Sequence, residues 1–293
     1  MTKCIYIYCD GGLGNRYNCL MGGLWLAHNL NLTPQVIWPQ NNWCGAAFED
    51  LFEPGMQLCD HDYNQIFDLI PTINVIHENV FNRPLSFLQV HHTSLMEIHT
   101  HMAQMPHRHL FYLNSLIPAW MEHTHILDHI VTMLPFKKNL VDMAEHVMHL
   151  HAQGESFWGI HMRKTDFGDN AVSDLPYMNM IVANPDQKVF VCSDDALTEQ
   201  KFNLLPNVFV HDKTHYVEKL VPGEWNQTIT DQNQTQWQFN VNRSSASVQE
   251  AVVDLLILSH SNIMNTNTRS TFLHMASMLK ESRKRWYSSV TSA

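Results

Sequence analysis

The run CIYIYC at residues 4–9 opens directly into Asp10-Gly11-Gly12-Leu13-Gly14-Asn15-Arg16 and then into the apolar stretch CLMGGLWLAHNL. A short β-branched and aromatic run, a glycine turn and a long apolar segment predict a strand, a tight turn and a helix. Further strand-like runs follow at residues 35–38, after Pro34, and at 73–76. This alternation points to an α/β layer with a parallel sheet.

Residues 84–151 are rich in His and Met and carry helical spacing at Ile126, Ile130 and Val131 and again at Val141, Ala144 and Met148, which predicts several helices ending near His151. The strand pattern then restarts at 156–161, 188–192, 208–210 and 262–265. At ~150 residues per domain the 293-residue chain has room for about two. The expected division is a first α/β domain over 1–152 and a second over 153–293. Residues 222–247 are polar, rich in Gln, Asn and Thr and without period, and read as a lid or a mobile loop. They close on Ser247-Val248-Gln249-Glu250, which reads as a capping box for the helix AVVDLLILS.

Apolar residues make up 45% of the chain, enough for a buried core and against disorder. The net charge of −10 argues against a nucleic-acid partner, whose footprint would be basic. No apolar run reaches the ~18 residues of a membrane span, and the first residues lack a signal-peptide pattern, so the expectation is a cytoplasmic protein. The six cysteines form no C-x-x-C pair and read as buried free thiols. Twenty histidines raise a metal hypothesis, but no H-E-x-x-H occurs and the expectation is no metal. The basic, aromatic segment KESRKRWYSSV near the C-terminus reads as a solvated helix end or as a contact with anionic lipid.

Four elements bear chemistry. The glycine turn lets backbone approach a ligand, with the amides of the next helix facing an anion. It is not a dinucleotide fingerprint, since Tyr17 stands where the third glycine belongs, and its alternative is a plain strand-to-helix turn. The second is Gly159-Ile160-His161-Met162-Arg163-Lys164-Thr165-Asp166, where a strand runs into a polar cluster at its carboxyl end. Arg163 offers a phosphate two parallel hydrogen bonds, which would stabilise a departing diphosphate without metal; the alternative is a solvated Arg and Asp pair. The third is Asp254 within VVDLLIL, either a buried carboxylate engaging the N1–H and amine of guanine or a residue on the wet helix face. The fourth is Asn265-Thr266-Asn267-Thr268-Arg269-Ser270-Thr271, an anion-binding concavity or, at Ser270 or Thr271, only a helix cap.

GGLGNRYNCLMGGLWLA, GIHMRKTD, VCSDDA and VVDLLILSHSNIMNTNTRST together, in this order, resemble the GDP-fucose-dependent fucosyltransferases, nearest the group of rhizobial nodulation and core N-glycan α1,6 enzymes. Residues 40–150 carry no part of the resemblance. It implies an α/β fold of GT-B type, two facing Rossmann-like domains with donor on the second and acceptor largely on the first. It further implies inverting, metal-independent transfer of fucose from GDP-fucose to a glycan hydroxyl, with no cofactor. Carried over residue by residue, it places Arg163 on the β-phosphate beside His161, Asp254 on guanine, Ser270 near the diphosphate with Thr268 and Thr271, and Gly12, Gly14, Asn15 and Arg16 at the donor from the first domain. Asp194 would orient donor or acceptor and not bind a metal. Two departures stand out: Lys164 replaces the second arginine many members carry, and the position of the family's base falls on Ala171. Asp169 and Asp174 are the acids nearby, and Asp169 is taken as the base. Other readings remain open: a transferase using another nucleotide sugar, a non-catalytic carbohydrate- or protein-binding module on this scaffold, and a metalloenzyme.

Overall fold

The structure is a computed structural model that describes residues 4–56, 58–59, 74–77, 87–89, 99–100, 103, 108–112, 134–166, 173–230, 236–237, 239–265 and 270–291. In chain order the described elements are β1 (Cys4–Tyr8), α1 (Leu13–Leu30), β2 (Thr33–Ile37), α2 (Phe48–Leu51), β3 (Asn74–His77), β4 (Phe87–Gln89) and β5 (Arg108–Tyr112). There follow α3 (Lys138–His151), β6 (Trp158–Met162), α4 (Asp174–Val182), β7 (Val189–Ser193), α5 (Ala196–Phe202), β8 (Val208–Phe209), β9 (Ile229–Thr230), β10 (Gln236–Trp237), α6 (Ser245–Leu258), β11 (Asn262–Ile263) and α7 (Thr271–Thr291). The chain divides into two compact units, one of Met1–Pro39, Ala47–Pro135 and Arg269–Ala293, the other of Gln40–Ala46 and Phe136–Thr268.

The first unit holds a five-stranded parallel sheet in the order β2-β1-β5-β3-β4. All five residues of β1 are buried, which is why CIYIY reads as a continuous apolar run and not as an alternation. Pro34 falls on β2, an edge strand, where the missing N–H costs the sheet no ladder bond. Helix α1 is buried along most of its length and stops at Asn31, which adopts the left-handed conformation at φ 53° and returns its N–H to the carbonyls of Ala27 and His28. Helix α7 packs on α1.

The second unit holds a four-stranded parallel sheet in the order β11-β6-β7-β8. Ile160, Met162, Val189, Val191 and Val208 from the strands meet Ile181 and Phe202 from α4 and α5 in its core. Helices α3 and α6 pack against each other.

Several sequence expectations change. The compact units break at 135/136 instead of 152/153, because α3 packs on α6 of the second unit, while α7, expected there, packs on α1 of the first. The stretch 84–151, read as helices, contains strands β4 and β5 as well as α3. β5 lies between β1 and β3, and pairing on both sides overrides the weak local preference of RHLFY. The helix AVVDLLILS begins earlier than the Ser247 box: Ser244 is its N-cap, its Oγ accepting from Ser247 N at 3.2 Å. In the polar stretch 222–247, buried Asn240 exchanges hydrogen bonds with the backbone of Val221, Oδ1 accepting from its N at 3.1 Å and Nδ2 donating to its O at 2.8 Å. β9 and β10 pair antiparallel in the same stretch, so it carries structure of its own. The six cysteines are free thiols, five of them buried. No described helix is long and apolar enough to cross a membrane. Side chains 283–291, with most of the basic segment, lie outside the described residues.

Candidate functional site

In the second unit the strands leave β6 in one direction through β7 to β8, and the chain then returns by α6 to add β11 on the other side. The order reverses between β6 and β11, and ligands of open parallel sheets bind beyond the carboxyl ends of strands at such a point. Asn265, just past β11, closes the two strand ends: Oδ1 accepts from His161 N at 2.7 Å, and Nδ2 donates to His161 O at 2.8 Å and to the Tyr177 hydroxyl at 3.3 Å. Burial drives the His161 imidazole down to about 4 against the pull of the Asp194 carboxylate, so the ring is neutral near pH 7.

The turn after β6 is fixed from β7. Asp194 accepts from Lys164 N at 2.7 Å, Thr165 N at 3.4 Å and Thr165 Oγ1 at 2.6 Å. That turn carries Arg163, whose Nε and Nη2 meet the two oxygens of Asp166 at 2.8 and 2.7 Å. The Arg and Asp pair weighed from sequence therefore forms, but Asp166 is buried and does not stand in solvent. Arg243, just before α6, brings Nη2 to the same Asp166 Oδ2 at 2.8 Å. Burial raises the Asp166 carboxyl, but the Arg243 and Arg163 guanidiniums outweigh it and hold the group well below the usual carboxylate range. Arg163 side-chain exposure is 31%, against 1% for Asp166, so the cationic member faces outward. Asp166 thus takes two parallel hydrogen bonds of the kind the sequence offers to a phosphate, from Nε and Nη2. Lys164 reaches Asp174 at 2.6 Å, and Lys201 reaches the other Asp174 oxygen at 2.7 Å.

Asp254 is buried on α6, which settles the wet-face alternative against it. Its Oδ2 meets Lys213 Nζ at 2.7 Å, and Oδ1, 3.4 Å from His211 Nδ1, makes no hydrogen bond. Lys213 Nζ also meets Glu199 Oε1 at 2.6 Å and the Ser193 carbonyl at 2.7 Å. Glu199 accepts in addition from Ser193 N and from the Tyr216 hydroxyl, both at 2.6 Å. One ammonium between two buried carboxylates neutralises one of them. Burial raises Asp254, yet Lys213 and His211 bring it below its ordinary value, whereas burial and the Asp254 charge push Glu199 up to about 7 against Lys213.

In the first unit the glycine turn is built around Arg16, which is fully buried. Gly11 takes a left-handed φ of 80° and donates its N–H to Asp10 Oδ1 at 2.7 Å. Arg16 Nε donates to Gly11 O at 2.7 Å and Nη1 to Pro39 O at 2.6 Å, with the guanidinium 5.1 Å from the Trp38 ring centre. A Cβ on Gly14 would lie 2.8 Å from the Thr271 backbone carbon, so this glycine serves the approach of α1 to α7; a Cβ on Gly12 would meet nothing within 4 Å. Asn15 is half-buried. Ser270 Oγ accepts from Leu273 N at 3.3 Å, the capping alternative weighed for it, and Thr271 is the first residue of α7. Thr268 and Asp169 lie outside the described residues.

Sequence reading passed over Arg243, Tyr177, His211, Lys213, Glu199 and Tyr216 as site residues, while Asn265, the first residue of the fourth element, serves to close the strand ends. The segment His211-Asp212-Lys213 after β8 repeats the signal used at β6, polar residues directly after a short apolar strand, and was available. Arg243 had no such signal, because it stands in a polar stretch without period. Among the described residues no group of three or more His, Cys, Asp or Glu is placed to hold a metal ion.

No protein-family profile matches the chain, and no curated protein sequence matches it. Solved structures do match in fold. A NodZ α1,6-fucosyltransferase co-crystallized with GDP aligns with a TM-score of 0.58 at 15% identity, over 95% of this chain and 93% of that one. NodZ from Bradyrhizobium gives 0.55 at 14%, over 95% and 94%. FUT1 of Arabidopsis thaliana, a mutant in complex with GDP, gives 0.52 at 14%, over 96% of this chain and 69% of that one. The mixed α/β fold with parallel sheets is thus one that fucosyltransferases share.

Proposed function

We propose that this protein transfers fucose from GDP-fucose to a hydroxyl of a glycan acceptor, as an inverting, metal-independent glycosyltransferase of GT-B type whose two parallel-sheet units are its Rossmann-like halves. The observation that carries the reading is the guanidinium of Arg163, held by a buried carboxylate and turned outward at the carboxyl end of β6, beside the reversal of strand order. The likeness in fold to NodZ co-crystallized with GDP supports it.

In this reading Arg163 engages the diphosphate through the part of its fork that Asp166 does not take, and stabilises the charge that builds on it as the bond to the sugar breaks. Asp254 accepts from guanine through Oδ1. Asp169 takes the proton of the acceptor hydroxyl as its oxygen bonds to the anomeric carbon, and GDP departs from the opposite face. His161, neutral, shapes the β6 end without adding charge, and Asp194 positions the turn that carries Arg163.

The test is a glycan-array transfer assay with GDP-fucose, run with GDP-mannose and UDP-sugars as competing donors and repeated after chelation. Transfer of fucose that survives chelation is the expected result. Transfer from another donor alone, or release of no GDP with any acceptor, overturns the reading in favour of a different nucleotide sugar or a binding module.

A further inference from the structure

Arg163 and the buried Asp166 by themselves form a neutral pair, one cation on one anion, and a closed pair of that kind has little long-range attraction for a doubly charged ligand. Arg243 breaks the balance, since it adds a second guanidinium to a carboxylate that Arg163 already satisfies.

We propose that Arg243 is a positioning residue that keeps the Arg163 and Asp166 pair cationic, so that Arg163 meets the diphosphate of a nucleoside diphosphate sugar as a charge and not as half of a closed pair. This inference rests on the nucleotide-sugar reading above.

Three observations place Arg243 for that work. Its backbone is held on both sides by the Gln40–Ala46 segment: Arg243 N donates to Asn42 O at 3.0 Å, and Arg243 O accepts from Gly45 N at 2.7 Å. The fit is close enough that a Cβ on Gly45 would stand 2.6 Å from that carbonyl. The next residue, Ser244, caps α6 and fixes where the chain turns. The side chain is 16% exposed, and its Nη1 is buried without a hydrogen-bond partner. A pair kept only to hold the fold is expected to satisfy its buried donors, and an apolar residue would fill the place at lower cost. What a second guanidinium supplies and an apolar residue cannot is the surplus positive charge.

The test measures binding of guanosine and GDP to the full chain by calorimetry, for wild type, Arg243→Lys and Arg243→Gln. The expected result is a loss of about tenfold in GDP affinity for Arg243→Gln with guanosine affinity unchanged, since the lost charge acts on the ligand's charge alone. Arg243→Lys, which keeps the charge and loses the fork, stays within about threefold of wild type for GDP. Equal losses for guanosine and GDP, an unchanged GDP affinity in Arg243→Gln, or an Arg243→Lys as weak as Arg243→Gln mean that Arg243 does not act through its charge and overturn the inference while the nucleotide-sugar reading stands. A wild-type chain that binds neither ligand overturns both.

Discussion

Two arginines follow the leading strand of a parallel sheet in this molecule, and the chain uses them in opposite ways. Arg16, after β1, has no exposed surface; its Nε and Nη1 donate to the carbonyls of Gly11 and Pro39, and its Nη2 lies 3.8 Å from the part-exposed Asp10 carboxylate. Arg163, after β6, is 31% exposed, and its partner is a carboxylate that a second arginine shares. Carbonyl hydrogen bonds consume the Arg16 guanidinium in building the turn, and the nearby Asp10 carboxylate balances its charge. A buried carboxylate partner holds the group rigid, and the second arginine leaves a net charge over. The same sequence signal, a strand running into a polar turn with an arginine, therefore encodes a buried structural bolt in one unit and a part-exposed, carboxylate-held cation in the other.

Exchange of alanine at the two positions is the strongest way to break this comparison. Arg163→Ala is expected to lower fucose transfer by about 10²–10³-fold, the range for losing one preorganised electrostatic contact, with a stability cost of about 1–3 kcal/mol because the buried Asp166 keeps only Arg243 as its guanidinium partner. Arg16→Ala is expected to cost about 2–4 kcal/mol of stability by orphaning the buried Gly11 carbonyl and the half-buried Pro39 carbonyl and emptying the space over Trp38, seen as a shifted denaturation midpoint. If Arg16→Ala instead folds normally and loses donor binding, the bolt is a ligand contact after all.

How much of this was legible in the sequence follows from where each interaction is local. The β1 turn and its helix are contiguous, so the short β-branched and aromatic run CIYIYC and the glycines after it place them, and the β6, β7 and β11 segments fall within a few residues of expectation for the same reason. The direction of Arg16 was not legible, since it depends on Pro39 and Trp38, residues that arrive with the next strand. Asp254 was singled out because a carboxylate in an apolar helix is expensive. Its partner Lys213 sits 41 positions earlier in the chain, and a lone lysine carries no signal of burial. Arg243 lies 77 positions from Asp166 and has neither period nor motif around it. Tertiary pairing over such distances is the part that pattern reading does not reach.

The buried cluster in the second unit sharpens the comparison through pH. The Glu199 carboxyl sits near 7 in the fold and at its ordinary 4.5 when unfolded, so the native state binds the extra proton between those values. Stability from this group is therefore present at acid pH and is lost as pH rises through 4.5 to 7. Glu199→Gln removes that slope and should gain about 1–3 kcal/mol on wild type between pH 4.5 and pH 8, measured by denaturant midpoints at both. His161, neutral in the fold with a value of about 4, acts with the opposite sign, losing stability as pH falls from 6.5 towards 4. A parallel series in Glu199→Gln leaves that acid limb in place.

The glycine turn of the first unit gives smaller effects with sharper geometry. Gly14→Ala forces a methyl to within 2.8 Å of the Thr271 backbone, and overpacking of this kind costs about 1–3 kcal/mol. Gly12→Ala enters open space and should change stability by less than about 0.5 kcal/mol. Any loss of GDP-fucose affinity in Gly12→Ala at unchanged stability would then report a ligand at that loop, since nothing in the fold itself opposes the methyl.

Ser270 separates the two uses of a hydroxyl at a helix start. Its Oγ takes the Leu273 N–H, so Ser270→Ala leaves one amide of the first α7 turn without a partner and should cost about 1 kcal/mol, while Ser270→Gly costs only a few tenths. If capping is its whole role, both variants keep the wild-type KM for GDP-fucose, and stability alone orders the series. A hydroxyl that also met a phosphate would raise KM equally in both, because alanine and glycine lack it alike. The ratio of the two variants in stability and their equality in KM are independent readouts, so a KM change shared by both moves Ser270 from the cap to the donor, whatever the stability series shows.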